Sequence, residues 1–127
     1  MRIGTDIVQI DRISTSCDKF GERFIERFLS KSEILLAKKA ESLAGFWAAK
    51  EAIAKALGCG IGEELSFHDI IIKKDSRGRP YFELSREAQS KHRIIQGSLS
   101  ISHDGGFAIA VVVLEIETEN KDNETLN

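Results

Sequence analysis

The feature that most constrains the fold is a long segment of low charge, SLAGFWAAKEAIAKAL, at residues 42–57. Alanine and leucine are strong helix formers, and Gly58 directly after the segment is a typical helix C-cap. The only charged residues within it are Lys50, Glu51 and Lys55. Helical spacing collects the large apolar side chains on one side, the natural core face: Leu43, Phe46, Ile53 and Leu57.

Before this helix, the sequence predicts one strand and three short helices. Residues 2–10 are rich in β-branched side chains and predict a strand, followed by a helix over residues 11–16 that displays Arg12. Phenylalanine, isoleucine and leucine recur at helical spacing in residues 23–29. Ser30 and Glu33 form a capping-box pattern, which predicts a further helix reaching residue 39.

The second half of the chain reads mainly as strands. Two strands joined by a turn are predicted at residues 70–72 and 80–84. Ser85 then predicts the start of a helix that ends near residue 92. Residues 98–102 alternate, so Leu99 and Ile101 share a buried face. Residues 103–106 predict a turn, and the apolar run at 107–116 predicts a central strand covered on both sides.

The predicted fold class is therefore α+β: an antiparallel sheet packed against helices in one domain, residues 1–117. Residues 118–127 are polar and predict a mobile tail. The formal net charge of −2 gives no case for nucleic-acid binding, and no apolar run approaches a membrane span. Two separate cysteines and no signal-peptide pattern point to a protein of the cytoplasm.

Asp6 is the first candidate functional residue. It lies in a predicted strand between Thr5 and Ile7, where a carboxylate loses hydration unless another group pairs with it. The structural alternative is a carboxylate satisfied by a buried arginine or lysine, or by backbone N–H groups.

Glu51 and Lys55 are the next candidates, because they are four residues apart on one face of the long helix. The structural alternative is an ordinary helical ion pair. Alanines surround them at positions 44, 48 and 52, and we interpret that strip as space for a ligand to approach the helix.

Two separated carboxylates with lysines describe a Mg²⁺–phosphate centre, since Mg²⁺ takes hard oxygen ligands together with substrate phosphates. The glycine-rich loop GCGIG at 58–62 would let a ligand approach bare backbone, although a flexible turn explains the glycines equally well. It lacks the Rossmann and Walker spacing. His103 is either a site residue or a surface turn residue. His68 and His92 have no metal-ligand spacing to each other or to the cysteines, so we expect no zinc site.

Four segments occur in the order of a known family: IGTDIVQIDRI at 3–13, FWAAKEAIAKALGCGIG at 46–62, GRP at 78–80 and SLSISHD at 98–104. An early G-x-D followed by W-x-x-K-E-x-x-x-K is specific to it. Over residues 1–116 the chain resembles the holo-acyl-carrier-protein synthases, the small single-domain group of 4′-phosphopantetheinyl transferases.

The resemblance implies that phosphopantetheine is transferred from coenzyme A to a serine of apo acyl carrier protein, in lipid and fatty acid biosynthesis, releasing adenosine 3′,5′-bisphosphate. It implies that Asp6 and Glu51 bind Mg²⁺ and that Lys55 lies near the pyrophosphate, so these three are the expected catalytic residues. It also implies a homotrimer with shared active sites. The expected coenzyme-binding residues are Lys50, Lys55, Gly58, Gly60, Gly62, Pro80, Ser102 and His103.

The resemblance further implies that an acidic carrier protein docks on the first helix through Arg12, and Arg23 and Arg27 would extend that basic surface. Phe46 stands where many relatives carry an arginine, and Cys59 where they usually carry threonine. The general base stays open among Asp6, Glu51 and a metal-bound water. Two other functions stay open: a metal-dependent phosphohydrolase and a non-catalytic carrier-binding module.

Overall fold

The computed structural model describes residues 1–118, which form one α+β domain. Within the described residues there are five α-helices, five strands and one short 3₁₀ helix, Phe67–Asp69. In chain order the α-helices and strands are β1 (Arg2–Gln9), α1 (Ile10–Phe20), α2 (Glu22–Phe28), α3 (Lys31–Leu36), α4 (Ala40–Ala56), β2 (Ile70–Lys74), β3 (Pro80–Leu84), α5 (Arg86–His92), β4 (Ile94–Asp104) and β5 (Phe107–Ile116).

The main sheet is antiparallel with the strand order β1-β5-β4, so β5 is central and β1 and β4 are the edges. A separate hairpin, β2-β3, packs beside β4. In the main sheet Asp6 lies opposite Ala110, and Ala110 lies opposite Ile101. The predicted fold class and the central position of β5 are thereby confirmed.

Helix α4 lies against one face of this sheet at unusually close range. A methyl group on Gly4 would collide with the carbonyl oxygen of Ala52 in α4, and one on Gly45 would come within 2.8 Å of Ile101 Cγ2. The alanines at 44, 48 and 52 are completely buried. The interpretation of this strip as space for a ligand is therefore wrong: the small side chains let the helix and the sheet approach each other.

The opposite face of the sheet is left uncovered by the described part of the chain, residues 1–118. The α4 side of β5 is fully buried, but on the other side Ile109 is 41% and Phe107 38% exposed. On the neighbouring β1, Ile3 is 67% and Ile7 59% exposed. The prediction that β5 is covered on both sides is wrong for the single chain, because an apolar run does not reveal which molecule supplies its second cover.

Several element boundaries also differ from those predicted. Helix α1 runs to Phe20, where Gly21 ends it with a φ of 66°, and α3 already ends at Leu36. Strand β4 continues through Asp104, so that Gly105 and Gly106 alone make the turn. No helix within residues 1–118 has the length and apolar character of a membrane span. Apart from Thr118, the predicted tail lies outside the described residues.

Candidate active site

The candidate site forms where β1 meets the second half of α4. Asp6 shares the α4-facing side of β1 with Gly4 and Val8, and it is half-buried. Lys55 Nζ donates to Asp6 Oδ1 at 2.8 Å and to the carbonyl oxygen of Thr5 at 3.2 Å. An ammonium has three N–H donors, and the Lys55 side chain stays 52% exposed, so a third donor can face outward.

Glu51 joins the same cluster one helical turn before Lys55. Burial raises the pKa of Glu51, and the negative charge of Asp6 raises it further; the positive charges of Lys55 and Arg12 act in the opposite direction. Lys55 pairs with Asp6 and does not form the ordinary helical ion pair with Glu51. Asp6, Glu51, Lys55 and Arg12 therefore constitute one electrostatically coupled group.

This group is suited to hold a small, hard cation beside phosphate. Two carboxylates on separate elements repel each other across the contact between β1 and α4, and a divalent cation between them would relieve that repulsion. Carboxylate oxygens are the protein ligands that Mg²⁺ takes. Lys55 leaves positive charge at the edge of the same site, where an anionic substrate would lie.

The raised pKa of Glu51 predicts that this carboxylate opposes folding near neutral pH. A folded-state pKa above the unfolded value means that the contribution of Glu51 to stability is fully present at acidic pH and is lost as the pH rises through the folded-state pKa. We expect Glu51→Gln, without divalent cations, to melt at or above the wild-type temperature at pH 7, with a smaller advantage near pH 4. Melting curves at both pH values test this, and a variant less stable at pH 7 than at pH 4, relative to wild type, would contradict it.

The structure places Lys50 away from this site. Its ammonium is fully buried and donates to Glu33 Oε1 at 2.9 Å, to the carbonyl oxygen of Phe28 at 2.6 Å and to that of Phe67 at 3.0 Å. All three of its donors are used inside the protein. This geometry favours a structural role for Lys50 over the expected contact with a coenzyme.

The glycine loop begins at Gly58, just after the end of α4 and three residues after Lys55. Gly58 and Gly60 have φ values of 81° and 66°, a region that side-chain-bearing residues rarely adopt. The N–H groups of Gly58 and Gly60 donate to the carbonyl oxygens of Lys55 and Ala54. These donors therefore terminate α4, and Gly62 lies beyond them on the exposed part of the loop.

The remaining expected coenzyme-binding residues lie at the far edge of the sheet. Pro80 shares a cleft with the start of β4, while Ser102 and His103 lie near its end. Asp6 is on β1, two strands away, at roughly 10 Å for a strand spacing of about 4.8 Å. Alternation along β4 puts Ser102 on the uncovered face and His103 on the α4 side. Within one chain the two groups are therefore not in direct contact.

The proposed carrier-docking residues lie on the surface of α1 and α2. Arg12, Arg23 and Arg27 are exposed, and the two on α2 line a groove between the helices together with Lys19 and Phe20. Phe20 is 56% exposed, with Lys19 Nζ 5.4 Å from its ring centroid. Neither residue was predicted to lie on this surface, because the predicted helix ends at residue 16, four residues before the end of α1.

An α+β domain whose candidate site joins two carboxylates to cationic side chains fits the class of phosphoryl-transfer enzymes. A model of the 4′-phosphopantetheinyl transferase superfamily matches residues 2–112, so the chain belongs to this superfamily. The family resemblance inferred from the sequence is thereby confirmed.

Individual relatives show which group within the superfamily the chain resembles. The chain is 63% identical over 117 residues to the holo-(acyl-carrier-protein) synthase of Sulfurovum sp., covering 92% of this chain and 98% of that relative. It is 58% identical over 112 residues to that of Nautilia profundicola, covering 88% and 97%. The crystal structure of the Helicobacter pylori synthase with coenzyme A has a TM-score of 0.87 at 54% identity, covering 89% of this chain and 99% of that one.

Proposed function

We propose that this chain transfers 4′-phosphopantetheine from coenzyme A to a serine of apo acyl carrier protein, in the context of fatty acid biosynthesis. The observation that carries the proposal is the Asp6–Glu51–Lys55 cluster at the contact between β1 and α4. The proposal is also supported by relatives that bear the synthase name and by a similar structure that holds coenzyme A.

In this reaction the serine oxygen forms a bond to the β-phosphorus of coenzyme A. The bond between that phosphorus and the oxygen bridging to the α-phosphate breaks, adenosine 3′,5′-bisphosphate leaves, and the serine proton passes to a base. Asp6 and Glu51 are the residues that would hold Mg²⁺, which supplies charge neutralisation for the pyrophosphate when bound. Each of the two carboxylates lies at this site and is a candidate for the base.

Lys55 stabilises the leaving group in this proposal. Its ammonium is fixed by Asp6 and the carbonyl oxygen of Thr5, so it is oriented before a substrate arrives. The outward-facing third donor is available to a phosphate oxygen, whose negative charge grows as the phosphoryl group leaves. The glycine loop at residues 58–62 would let the coenzyme pass close to the backbone near Lys55.

We further propose a homotrimer in which neighbouring copies complete each other's site. Isoleucines and a phenylalanine leave a contiguous apolar face on β1 and β5, of the kind that a second subunit covers. The Asp6 group lies on β1 and the expected coenzyme-binding residues Pro80, Ser102 and His103 lie at the β4 side. A coenzyme pocket shared between two copies would join the two edges.

The basic surface of α1 and α2 is the proposed docking site for an acidic carrier protein. We expect Arg12→Glu to raise the KM for carrier protein by about tenfold or more, since a like-charge contact at an interface costs several kcal/mol. The KM for coenzyme A should change far less. Steady-state kinetics with each substrate varied tests this, with the charge reversal Arg86→Glu on α5 as the matched control. Equal changes in both KM values would exclude this docking surface.

The test of the function is chromatography of the nucleotide products after incubation with coenzyme A and Mg²⁺. The transferase releases adenosine 3′,5′-bisphosphate only when apo carrier protein is added, and not with a carrier whose acceptor serine is replaced by alanine. Nucleotide release without any carrier would support the phosphohydrolase. No release with several apo carriers would support a binding module.

The cytoplasm is the proposed location, because this reaction joins a cytosolic coenzyme to a carrier protein. Both Cys17 and Cys59 are free thiols, as expected of a reducing compartment.

A further inference from the structure

A second cluster of ligand-type side chains lies between the glycine loop and the end of α5. One ligand atom each from Cys59, Glu64 and His92 lies within 4.8 Å of the other two. More than thirty residues lie between Cys59 and His92, a spacing that does not indicate a metal site. The fold creates the cluster by bringing the last turn of α5 against the loop that follows α4.

His92 supplies an atom that the described protein leaves unsatisfied. Its Nε2 is buried, and no hydrogen-bond partner for it exists among residues 1–118. Buried polar nitrogen atoms in proteins are nearly always paired, because an unpaired one loses its hydration without compensation. A histidine with an unpaired ring nitrogen, in a cluster with a thiol and a carboxylate, is a candidate metal ligand.

The other two side chains are held by the surrounding protein, and Cys59 Sγ donates to the carbonyl oxygen of Ala54 at 3.8 Å. Glu64 is exposed, and its Oε1 pairs with Lys91 Nζ at 3.1 Å. The second carboxylate oxygen is left for another partner, and solvent can reach the cluster from the Glu64 side.

We propose that Cys59, Glu64 and His92 form a binding site for one zinc-type divalent ion. Thiolate, imidazole and carboxylate are the donor set of Zn²⁺, and three protein ligands leave its fourth position to water. On binding, the sulfur–hydrogen bond of Cys59 breaks, the proton goes to solvent and a sulfur–metal bond forms. The oxidation state of the metal does not change.

This site is distinct in its chemistry from the one formed by Asp6 and Glu51. That pair offers only hard oxygen atoms, which suit Mg²⁺, whereas a thiolate selects softer ions. The ion would fasten the glycine loop to α5, because its ligands come from both. The inference does not depend on the transfer reaction, so it is tested without measuring activity.

The experiment is the titration of the metal-free chain with Co²⁺ in excess Mg²⁺, followed by displacement with Zn²⁺ in the presence of a chromophoric chelator. We expect a thiolate-to-cobalt charge-transfer band that saturates at one equivalent. We expect Cys59→Ser to abolish the band and His92→Gln to weaken Zn²⁺ binding at least about tenfold, since even outer-shell partners of a metal have effects of that size.

Cys17→Ser is the matched control, because it removes the other free thiol and leaves the cluster intact. It should bind both metals as the wild type does, and circular dichroism should show that all variants are folded. A wild type without the charge-transfer band would overturn the proposal. So would a band that survives in Cys59→Ser, or Zn²⁺ affinity in His92→Gln equal to that of the wild type.

Discussion

Replacing Asp6 or Glu51 by alanine is expected to reduce phosphopantetheine transfer by about 10²–10³-fold or more while the protein remains folded. Each variant removes one of the two carboxylates that would hold the cation beside the pyrophosphate. Stability should change little, because the ion pair of Asp6 is made with a half-exposed Lys55, and pairs of that kind contribute about 1 kcal/mol or less. The loss should therefore appear in kcat/KM and not in the melting temperature.

A control on the same helix separates this effect from a general loss of negative charge. Glu41 lies in the first turn of α4, far along the helix from Glu51, and Glu41→Ala should keep nearly full activity. Raising the Mg²⁺ concentration should restore part of the activity of the Asp6 and Glu51 variants if cation binding is what they lose. Full activity of either variant at ordinary Mg²⁺ would refute the assigned site.

Replacing Lys50 by methionine is expected to destabilise the fold by about 3–5 kcal/mol, the usual consequence of removing one partner of a buried ion pair. Glu33 would remain fully buried with its charge unpaired. Its two oxygens also accept from the N–H groups of Ser30 and Ile72, so this carboxylate ties the start of α3 and strand β2 to α4. Urea denaturation of the variant measures the effect.

Two further variants test whether the buried Lys50–Glu33 pair stabilises the fold. Lys73→Met removes a lysine from the exposed pair with Glu83 and should leave the free energy of unfolding nearly unchanged, because solvent screens such pairs. The double variant Lys50→Met with Glu33→Leu should lose less stability than the two single losses added together, because no lone charge is left. Wild-type stability of Lys50→Met with a large loss of coenzyme affinity would instead support the role that the sequence suggested.

The parts of the fold that the sequence predicted are those specified by local pattern. The long helix, the β2-β3 hairpin and the Ser85 cap depend on residues within a few positions of one another, and all three form. Asp6 and Glu51 stood out because a carboxylate is unusual in so apolar a setting. The negative charge of Asp6 acts on Glu51 across the contact between β1 and α4, and the role of the two residues as ligands remains a prediction.

What the sequence did not reveal are contacts between distant parts of the chain. Lys50 and Glu51 are adjacent in sequence, yet one enters the core to meet Glu33 and the other faces the site. Helical periodicity predicts that the two side chains point in different directions. It does not show which of these directions leads into the core. The cluster of Cys59 with His92 likewise depends on how α5 packs against the loop after α4, which no spacing rule describes.

The most direct test of the central claim is intact-protein mass spectrometry of apo acyl carrier protein incubated with this chain, coenzyme A and Mg²⁺. We predict that the carrier gains the mass of one phosphopantetheine group, and that chelating the divalent cations, or replacing Glu51 by alanine, abolishes the gain. An unchanged carrier mass under conditions where a related synthase modifies the same carrier would contradict the proposed function. An undiminished gain with chelator, or with Glu51→Ala, would contradict the proposed cation site.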